Sequence, residues 1–332
     1  MDHTRRDLLG LLTVAGLATG QSRPAVARKA AMRVGSAGGE LPSIETRPEP
    51  AVPPVREGHA VSGTARLWWW DTGGTRPAIV LLHPATGSGL IWRYQQQAFV
   101  NAGFRVIGYS RRGAAGSTKG EPGDRTSALD DLNAVVAAIG LSRFHLLGTA
   151  GGAFTAMAFA RAMPERLLSL VIANSLLSVT GGEINPMLQN IQLSALQTLP
   201  DEVRELGPAY RVSNPAGTAR WVELTHGSEV ARSSPAGKKM PPGGDGKAGA
   251  SRPPPPGGMT LEDLRAVRLP VLLIAGDADL LAPPPLMNVF TRYLPNCRMV
   301  RLPACGHSGY WEMPALFNET VVGFIRMQGA KR

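Results

Sequence analysis

The chain of 332 residues contains 43% hydrophobic and 18% charged residues, which excludes a wholly disordered protein and is long enough for one large α/β domain or two smaller ones. Its formal net charge is +10. Because the Lys and Arg residues are scattered and form no basic stripe interleaved with aromatic residues, the charge does not predict a nucleic-acid partner.

The N-terminal residues have the pattern of an export signal. Arg5 and Arg6 precede an apolar run rich in Gly and Ala that is too short to span a bilayer, and three small residues, Ala25 to Ala27, follow it. This pattern predicts a twin-arginine signal peptide over residues 1–27 of a bacterial protein that is periplasmic or secreted. An ordinary Sec signal and an uncleaved anchor are the alternatives. No later segment is long and apolar enough to predict a membrane span.

The first ordered elements are expected after a Pro/Gly-rich arm. Residues 28–60 contain many Pro, Gly and Arg residues without hydrophobic periodicity, which predicts a disordered arm with order beginning at about His59. An edge strand in ARLWWWDTGG and a buried strand in PAIVLLH follow. Trp68 to Trp70 must alternate between two faces of their strand, so packing in the core or at the edge is expected for them. A binding platform is the alternative.

Strands and helices alternate through the rest of the chain. Helical patterns occupy residues 127–140, with Ser127 as N-cap, and residues 152–164, 286–294 and 314–327. The apolar runs that separate them predict strands in FRVIGYS, FHLLG, LLSLVIANS, PVLLIAGD and RMVRLP. Such strands, separated by helices, predict an α/β fold with a mostly parallel, doubly wound sheet. The ligand crevice is then expected at the carboxyl ends of the strands.

One insertion interrupts this alternation. Residues 177–260 contain two stretches with the pattern of short helices, 185–206 and 214–230, which predict a helical cap over the crevice. Within it, residues 234–258 include 14 Pro or Gly among 25 residues and predict a disordered loop. The α/β core is then expected from residues 61–176 and 261–328.

Cysteines and histidines give no metal or disulfide pattern. Cys297 and Cys305 flank the predicted strand RMVRLP, whose ends lie about 20 Å apart, so two free thiols are expected. No cofactor and no metal is predicted, because five of the six histidines have neither metal-ligand spacing nor cysteine partners. These five are His3, His59, His83, His145 and His226.

The stretch FHLLGTAGGAFTAMAFA has the form of a nucleophile elbow without its nucleophile. An apolar run ends in Gly-Thr-Ala-Gly-Gly and passes directly into an alanine-rich helical segment, which is the arrangement of the G-x-S-x-G motif. Ala150 stands where that motif has serine. Gly148 and Gly152 supply the small residues that this motif requires, because the strand and the helix approach each other closely at the turn. Thr149 lies one residue away on a sharp turn and is expected to point elsewhere.

Four pieces in this order resemble the α/β-hydrolase superfamily over about Gly63 to Gln328: LLHPATGSG, YSRRGAAGS, GTAGG, and the pair AGDADLLAPP and ACGHSGYWEMP. The resemblance implies an oxyanion hole formed by the backbone N–H groups of Ala85 and Gly151. It implies Asp279 as the catalytic acid, with a turn role for Asp277, and His307 as the catalytic histidine. Three serines near strand ends, Ser110, Ser175 and Ser308, do not match the nucleophile position.

Three interpretations remain open at this point. In the first, the protein is a descendant or variant of a serine hydrolase and is weak or inactive. In the second, it is an enzyme in which His307 and Asp279 act without an acyl intermediate, as a lyase or other cofactor-free catalyst. In the third, it is a catalytically silent homologue that only binds a ligand. Retention of a base, an acid and two oxyanion donors counts against the third. The leading expectation is an exported enzyme that hydrolyses a small organic carbonyl compound, such as an ester or lactone.

Overall fold

The computed structural model describes residues 44–191, 194–226 and 259–329. The predicted signal peptide over 1–27 and the predicted loop over 234–258 lie outside these residues. Within the described part of the chain, no helix has the length and apolar character needed to cross a membrane.

The core is an eight-stranded sheet in the order β1-β2-β4-β3-β5-β6-β9-β10. Strand β2 is antiparallel to both of its neighbours, β1 and β4, and the strands from β4 to β10 along the sheet are parallel to one another. This arrangement confirms the predicted α/β fold with a mostly parallel sheet. The strands of this sheet are β1 Arg56–Ser62, β2 Ala65–Asp71, β3 Ala78–Leu82, β4 Arg105–Tyr109, β5 Phe144–Thr149, β6 Leu167–Ala173, β9 Val271–Gly276 and β10 Cys297–Leu302.

Helices cover the sheet because its central strands are apolar on both faces. Every residue of β3, β5 and β9 is buried, as expected for parallel strands between two helical layers. Ser127 is the N-cap of its helix, as predicted, and it also forms a capping box with Asp130. The helices outside the insertion are α1 Arg93–Asn101, α2 Ala128–Ala138, α3 Gly151–Ala162, α8 Pro284–Phe290, α9 Gly309–Glu312 and α10 Pro314–Gly329.

The insertion between β6 and β9 is helical in its described part. Its two ends pair in a small parallel sheet, β7 Val179–Thr180 and β8 Met259–Thr260. Trp221 anchors the last helix to the core, because its side chain is fully buried and its indole N–H contacts the Tyr310 hydroxyl at 3.4 Å. The cap helices are α4 Ile184–Ile191, α5 Asp201–Glu205, α6 Pro208–Ser213 and α7 Pro215–His226.

The prediction of a disordered arm over 28–60 is wrong for residues 44–60, where order begins well before His59; residues 28–43 lie outside the described residues. Strand β1 begins at Arg56 and pairs with β2 over seven residues. Upstream of it, the Glu45 main-chain N–H donates to the Glu312 oxygen, and the Glu45 main-chain oxygen accepts from the Asn214 side-chain amide. Sequence periodicity missed this part because β1 is an edge strand with mostly exposed residues, and the segment before it is held by main-chain groups.

Neither Cys297 nor Cys305 forms a disulfide, as predicted, and both side chains are buried. Cys297 begins β10 and Cys305 lies just beyond its end, so the extended strand separates them.

Candidate active site

The turn between β5 and α3 is strained and held in place. Ala150 has φ 47° and ψ −116°, a conformation that a residue with a side chain rarely adopts. The Ala150 N–H donates to the Ala173 oxygen at 3.0 Å, and the Ser175 hydroxyl donates to the Ala150 oxygen at 2.9 Å. Both main-chain groups of the strained residue are therefore fixed by the neighbouring strand β6 and the residues just after it.

Close packing around this turn explains its two flanking glycines. A Cβ on Gly148 would lie 2.8 Å from main-chain atoms of Ala153, and a Cβ on Gly152 would lie 2.3 Å from the Leu82 oxygen. These contacts are with backbone, which cannot move aside as a flexible side chain can. The turn therefore brings α3 against the end of β3, where the loop carrying Ala85 begins.

Gly152→Ala is expected to destabilise the fold by about 2–3 kcal/mol, because the new Cβ overpacks against the Leu82 oxygen. Gly323→Ala is the matched control. Gly323 lies in α10 with open space at its Cβ position, so alanine there should be neutral or stabilise by up to about 1 kcal/mol. Urea unfolding of both variants measures the difference. Equal stabilities would contradict the packing of the turn.

The main chain of Ala85 lies next to Gly151, the residue after the turn. A Cβ built on Gly151 would be 3.2 Å from the Ala85 nitrogen. The Pro84 oxygen, which belongs to the same peptide as the Ala85 N–H, accepts hydrogen bonds from His83 Nδ1 at 2.8 Å and Arg111 Nη2 at 3.0 Å. Since a trans peptide points its N–H away from its C=O, these contacts aim the Ala85 N–H away from both side chains.

The tautomer of His83 follows from its second contact. His83 Nε2 lies 3.0 Å from the Arg111 main-chain nitrogen, which can only donate. Nδ1 therefore carries the proton and donates to Pro84. Burial lowers the pKa of His83 far below its usual value, and the Arg111 charge adds to this effect, so the ring is neutral and structural.

His307 and Asp279 form a buried pair across the ends of β9 and β10. His307 Nδ1 lies 2.9 Å from each carboxylate oxygen of Asp279. The carboxylate also accepts hydrogen bonds from the main-chain N–H groups of Leu281 and Ala282. Because an ionised carboxylate only accepts, Nδ1 carries the proton and Nε2 is left as the basic nitrogen.

Each member of the His307–Asp279 pair stabilises the charged form of the other. Burial lowers the pKa of His307, but the charge and hydrogen bond of Asp279, together with the charges of Glu205 and Glu312, raise it above its usual value. Burial also opposes ionisation of Asp279, yet the charge and hydrogen bonds of His307 keep the Asp279 pKa below its usual value. The carboxylate therefore stays ionised, and the imidazole holds a proton more strongly than it would in water.

Asn174 donates a hydrogen bond to the Asp279 carboxylate, and it was not predicted as a site residue from the sequence. It follows β6 with φ 47°, and its Nδ2 donates to Asp279 at 2.9 Å and to the Gly306 oxygen at 3.2 Å. Its position at a strand end was the only available signal, since the stretch VIANS has no motif.

Glu205 places a cap carboxyl against the same site. Its main-chain oxygen accepts from the His307 N–H at 2.8 Å, and its Oε2 accepts from the Thr86 hydroxyl at 3.1 Å. Burial raises the pKa of Glu205 above its usual value, although the charge of His307 and the Thr86 hydrogen bond oppose this. Sequence analysis missed this residue because it lies in a short polar helix without a motif.

Glu312 joins the His307 loop to the cap. Its two carboxylate oxygens accept hydrogen bonds from the main-chain N–H groups of Gly207, Gly306 and Ser308 at 2.9, 2.9 and 3.1 Å. Burial raises the pKa of Glu312 to about 7, despite the opposing effect of these three donors. The Glu312 carboxyl therefore uses its hydrogen bonds to hold the main chain on both sides of His307.

The other residues considered from the sequence lie outside this pair or have structural partners. Asp277 is exposed, whereas Asp279 is buried. Ser110 accepts from the Gly89 N–H, and Ser308 contacts the Tyr310 hydroxyl. Thr149 is fully buried, and its hydroxyl has no hydrogen-bond partner among the described residues. In the described part of the chain, no three His, Cys, Asp or Glu residues converge in a metal-binding group.

Comparisons with known proteins agree with this architecture. A 2-hydroxy-6-oxononadienedioate/2-hydroxy-6-oxononatrienedioate hydrolase of Burkholderia vietnamiensis is 28% identical over 296 residues, covering 79% of this chain and 91% of the relative. A thermophilic esterase of Thermogutta terrifontis superposes with a TM-score of 0.63 at 22% identity, covering 82% of this chain and 99% of that one. An enol-lactonase of Burkholderia xenovorans gives 0.63 at 20% identity, covering 81% and 100%.

The family pattern described as "alpha/beta hydrolase fold" matches residues 77–314. This region runs from the strand before the Ala85 loop to the start of the helix that follows His307, and it includes both halves of the core. With most of the chain matched and the sheet order observed, the protein belongs to the alpha/beta hydrolase fold family.

Proposed function

We propose that this protein is an exported enzyme that hydrolyses a small carbonyl compound, such as an ester or lactone, with water in place of a serine nucleophile. One observation carries the proposal. His307 pairs with Asp279, and Ala85 lies next to Gly151 at the strained turn that carries Ala150, which supports a base, an acid and two main-chain donors acting in one site. A site that only binds a ligand has no need for this combination.

The proposed reaction proceeds without a covalent enzyme intermediate. His307 Nε2 takes a proton from water, whose oxygen forms a bond to the substrate carbonyl carbon. The carbonyl π electrons move to its oxygen, where the Ala85 and Gly151 N–H groups stabilise the negative charge. When the tetrahedral intermediate collapses, the bond to the leaving group breaks and the departing oxygen receives a proton. Asp279 holds the imidazole and stabilises its charged form.

The expected rate is modest. Enzymes that lose members of a Ser-His-Asp triad still accelerate hydrolysis by about 10³–10⁴ over the reaction in water, through the oxyanion hole and binding. An activated carbonyl substrate suits such a site. The relative from Burkholderia vietnamiensis is named a hydrolase, which supports hydrolysis as the reaction class.

A serine-directed phosphonate tests the absence of an acyl-enzyme. The purified protein is expected to hydrolyse p-nitrophenyl acetate and to keep its full rate after incubation with the phosphonate, because Ala150 offers no hydroxyl to label. Intact-mass spectrometry should show no adduct. Inhibition together with an adduct on any serine would instead establish a covalent mechanism at another position.

Export is proposed from the N-terminal pattern alone. Replacing Arg5 and Arg6 by lysine should leave the protein in the cytoplasm, because a twin-arginine signal depends on the arginine pair. Cell fractionation of the double variant and the unaltered protein measures the effect. A variant that still reaches the periplasm would assign the segment to the Sec route.

A further inference from the structure

The carboxyl of Glu205 has no assigned role in the reaction described above. We propose that Glu205 is a second acid and base of this site, which gives its proton to the leaving group while His307 activates water. This inference rests on the proposed function and extends it to substrates whose leaving group needs protonation.

Two hydrogen bonds hold Glu205 between the loop that carries His307 and the loop that carries Ala85. Its main-chain oxygen accepts from the His307 N–H at 2.8 Å, so the end of helix α5 is fixed to the His307 loop. Its side chain reaches the opposite loop, where Oε2 accepts from the hydroxyl of Thr86, the residue after Ala85. The carboxyl therefore lies between the loop that carries the basic nitrogen and the loop that carries an oxyanion donor.

Glu205 differs in its hydrogen bonding from Asp279 and Glu312, the two other buried carboxyls next to His307. Asp279 uses both oxygens for His307, Asn174 and two main-chain N–H groups. Glu312 uses both oxygens for three main-chain N–H groups. In the described part of the chain, only Thr86 donates to the Glu205 side chain, and Oε1 receives no hydrogen bond. Of the three, Glu205 alone has an oxygen available to a substrate.

Burial favours the protonated form of the Glu205 carboxyl, which is the form that an acid needs. The side chain is nearly inaccessible to solvent, and burial raises the pKa of Glu205, while its charge raises the pKa of His307. The titratable, charged and hydrogen-bonding groups that interact with it are His307, Thr86, Asp201, Arg204 and Tyr310. A carboxyl and an imidazole coupled in this way share protons, as paired acid and base groups do in other active sites.

The proposed step balances atoms and charge. As the tetrahedral intermediate collapses, the carbonyl re-forms, the bond from carbon to the leaving oxygen breaks, and that oxygen takes the Glu205 proton. The imidazolium of His307, which gained its proton from water, then returns one proton to the Glu205 carboxylate. Ester and water become acid and alcohol, and both side chains return to their starting states.

This role predicts a preference that depends on the leaving group. Alkoxides are strong bases and leave slowly unless protonated, whereas p-nitrophenolate leaves readily without an acid. Alkyl esters and lactones are therefore the substrates that need Glu205. Activated aryl esters need only His307, Asp279 and the oxyanion donors.

The test compares two acetate esters in three proteins. Ethyl acetate and p-nitrophenyl acetate are assayed with the unaltered protein, with Glu205→Gln, and with Glu202→Gln as matched control on the same helix. Glu205→Gln keeps an acceptor for Thr86, and it should lower kcat/KM for ethyl acetate by about 100-fold or more, the usual contribution of a general acid. Its rate on p-nitrophenyl acetate should be nearly unchanged. Glu202→Gln should affect neither ester.

Each outcome decides the matter. Equal losses on both esters would show that Glu205 only supports the structure, and no loss on ethyl acetate would show that it does not protonate; either overturns the inference and leaves the proposed function intact. Absence of His307-dependent turnover of p-nitrophenyl acetate in the unaltered protein would overturn the proposed function itself.

A second measurement needs no Glu205 variant. In the unaltered protein, kcat/KM for ethyl acetate should fall on the alkaline side, where Glu205 loses its proton, and kcat/KM for p-nitrophenyl acetate should not. The same alkaline limb for both esters, or none for either, would overturn the inference.

Discussion

Ala150→Ser is expected to raise kcat/KM for p-nitrophenyl acetate by at least about 100-fold, since removal of the nucleophile from a complete triad costs about 10⁶-fold. The substitution adds a hydroxyl at the turn whose main chain is already fixed by Ala173 and Ser175. His307 and the N–H groups of Ala85 and Gly151 stay in place. The variant should also become sensitive to a serine-directed phosphonate, with an adduct at position 150.

Two controls separate the hydroxyl from other effects of this substitution. Ala150→Gly relieves the strain of a positive φ without adding a nucleophile, and it should give no gain and no adduct. Ala150→Ser combined with His307→Ala should lose the gain, because the serine then has no base. If Ala150→Ser folds but shows neither gain nor adduct, the paired donors and His307 are not arranged for chemistry at this turn.

The elbow, the acid and the histidine could be located from sequence because they match motifs of the α/β-hydrolase superfamily, and each motif follows a strand that is recognisable by its apolar run. Parallel strands end at one edge of the sheet, so residues far apart in sequence, such as Asp279 and His307, come together there. The need for glycine at positions 148 and 152 could also be predicted, since a Cβ at either position would clash with the main chain. Local patterns thus predicted those parts of the site that depend on sheet topology.

The polar residues that complete the site could not be predicted in this way. Asn174 and Glu205 act through contacts that span more than 100 residues of sequence. Neither belongs to a periodic pattern or a motif. The ordered segment around Glu45 was missed for the same reason, because main-chain contacts to Glu312 and Asn214 hold it and leave no hydrophobic signal. Such contacts are determined by tertiary packing.

The second large effect concerns His307. His307→Ala is expected to lower kcat/KM for p-nitrophenyl acetate by at least about 100-fold, because it removes the base that takes the proton from water. Added imidazole should restore part of the lost rate, since it can occupy the same place. His59→Ala is the matched control, because the His59 side chain is exposed on β1, and it should leave the rate unchanged.

The pH dependence of the unaltered protein gives an independent measure of the same residue. His307 must be neutral to accept a proton, and the charge and hydrogen bond of Asp279 raise its pKa above the usual value despite the opposing effect of burial. Below this pKa the imidazole is protonated and inactive, so kcat/KM should rise with pH through a midpoint above that of an ordinary histidine, about 6.5. Asp279→Asn removes the main charge that raises the pKa and should move this midpoint to lower pH, while the maximal rate falls because the ring loses its orientation. A profile without an acidic limb, or an unchanged midpoint in Asp279→Asn, would show that His307 is not the base.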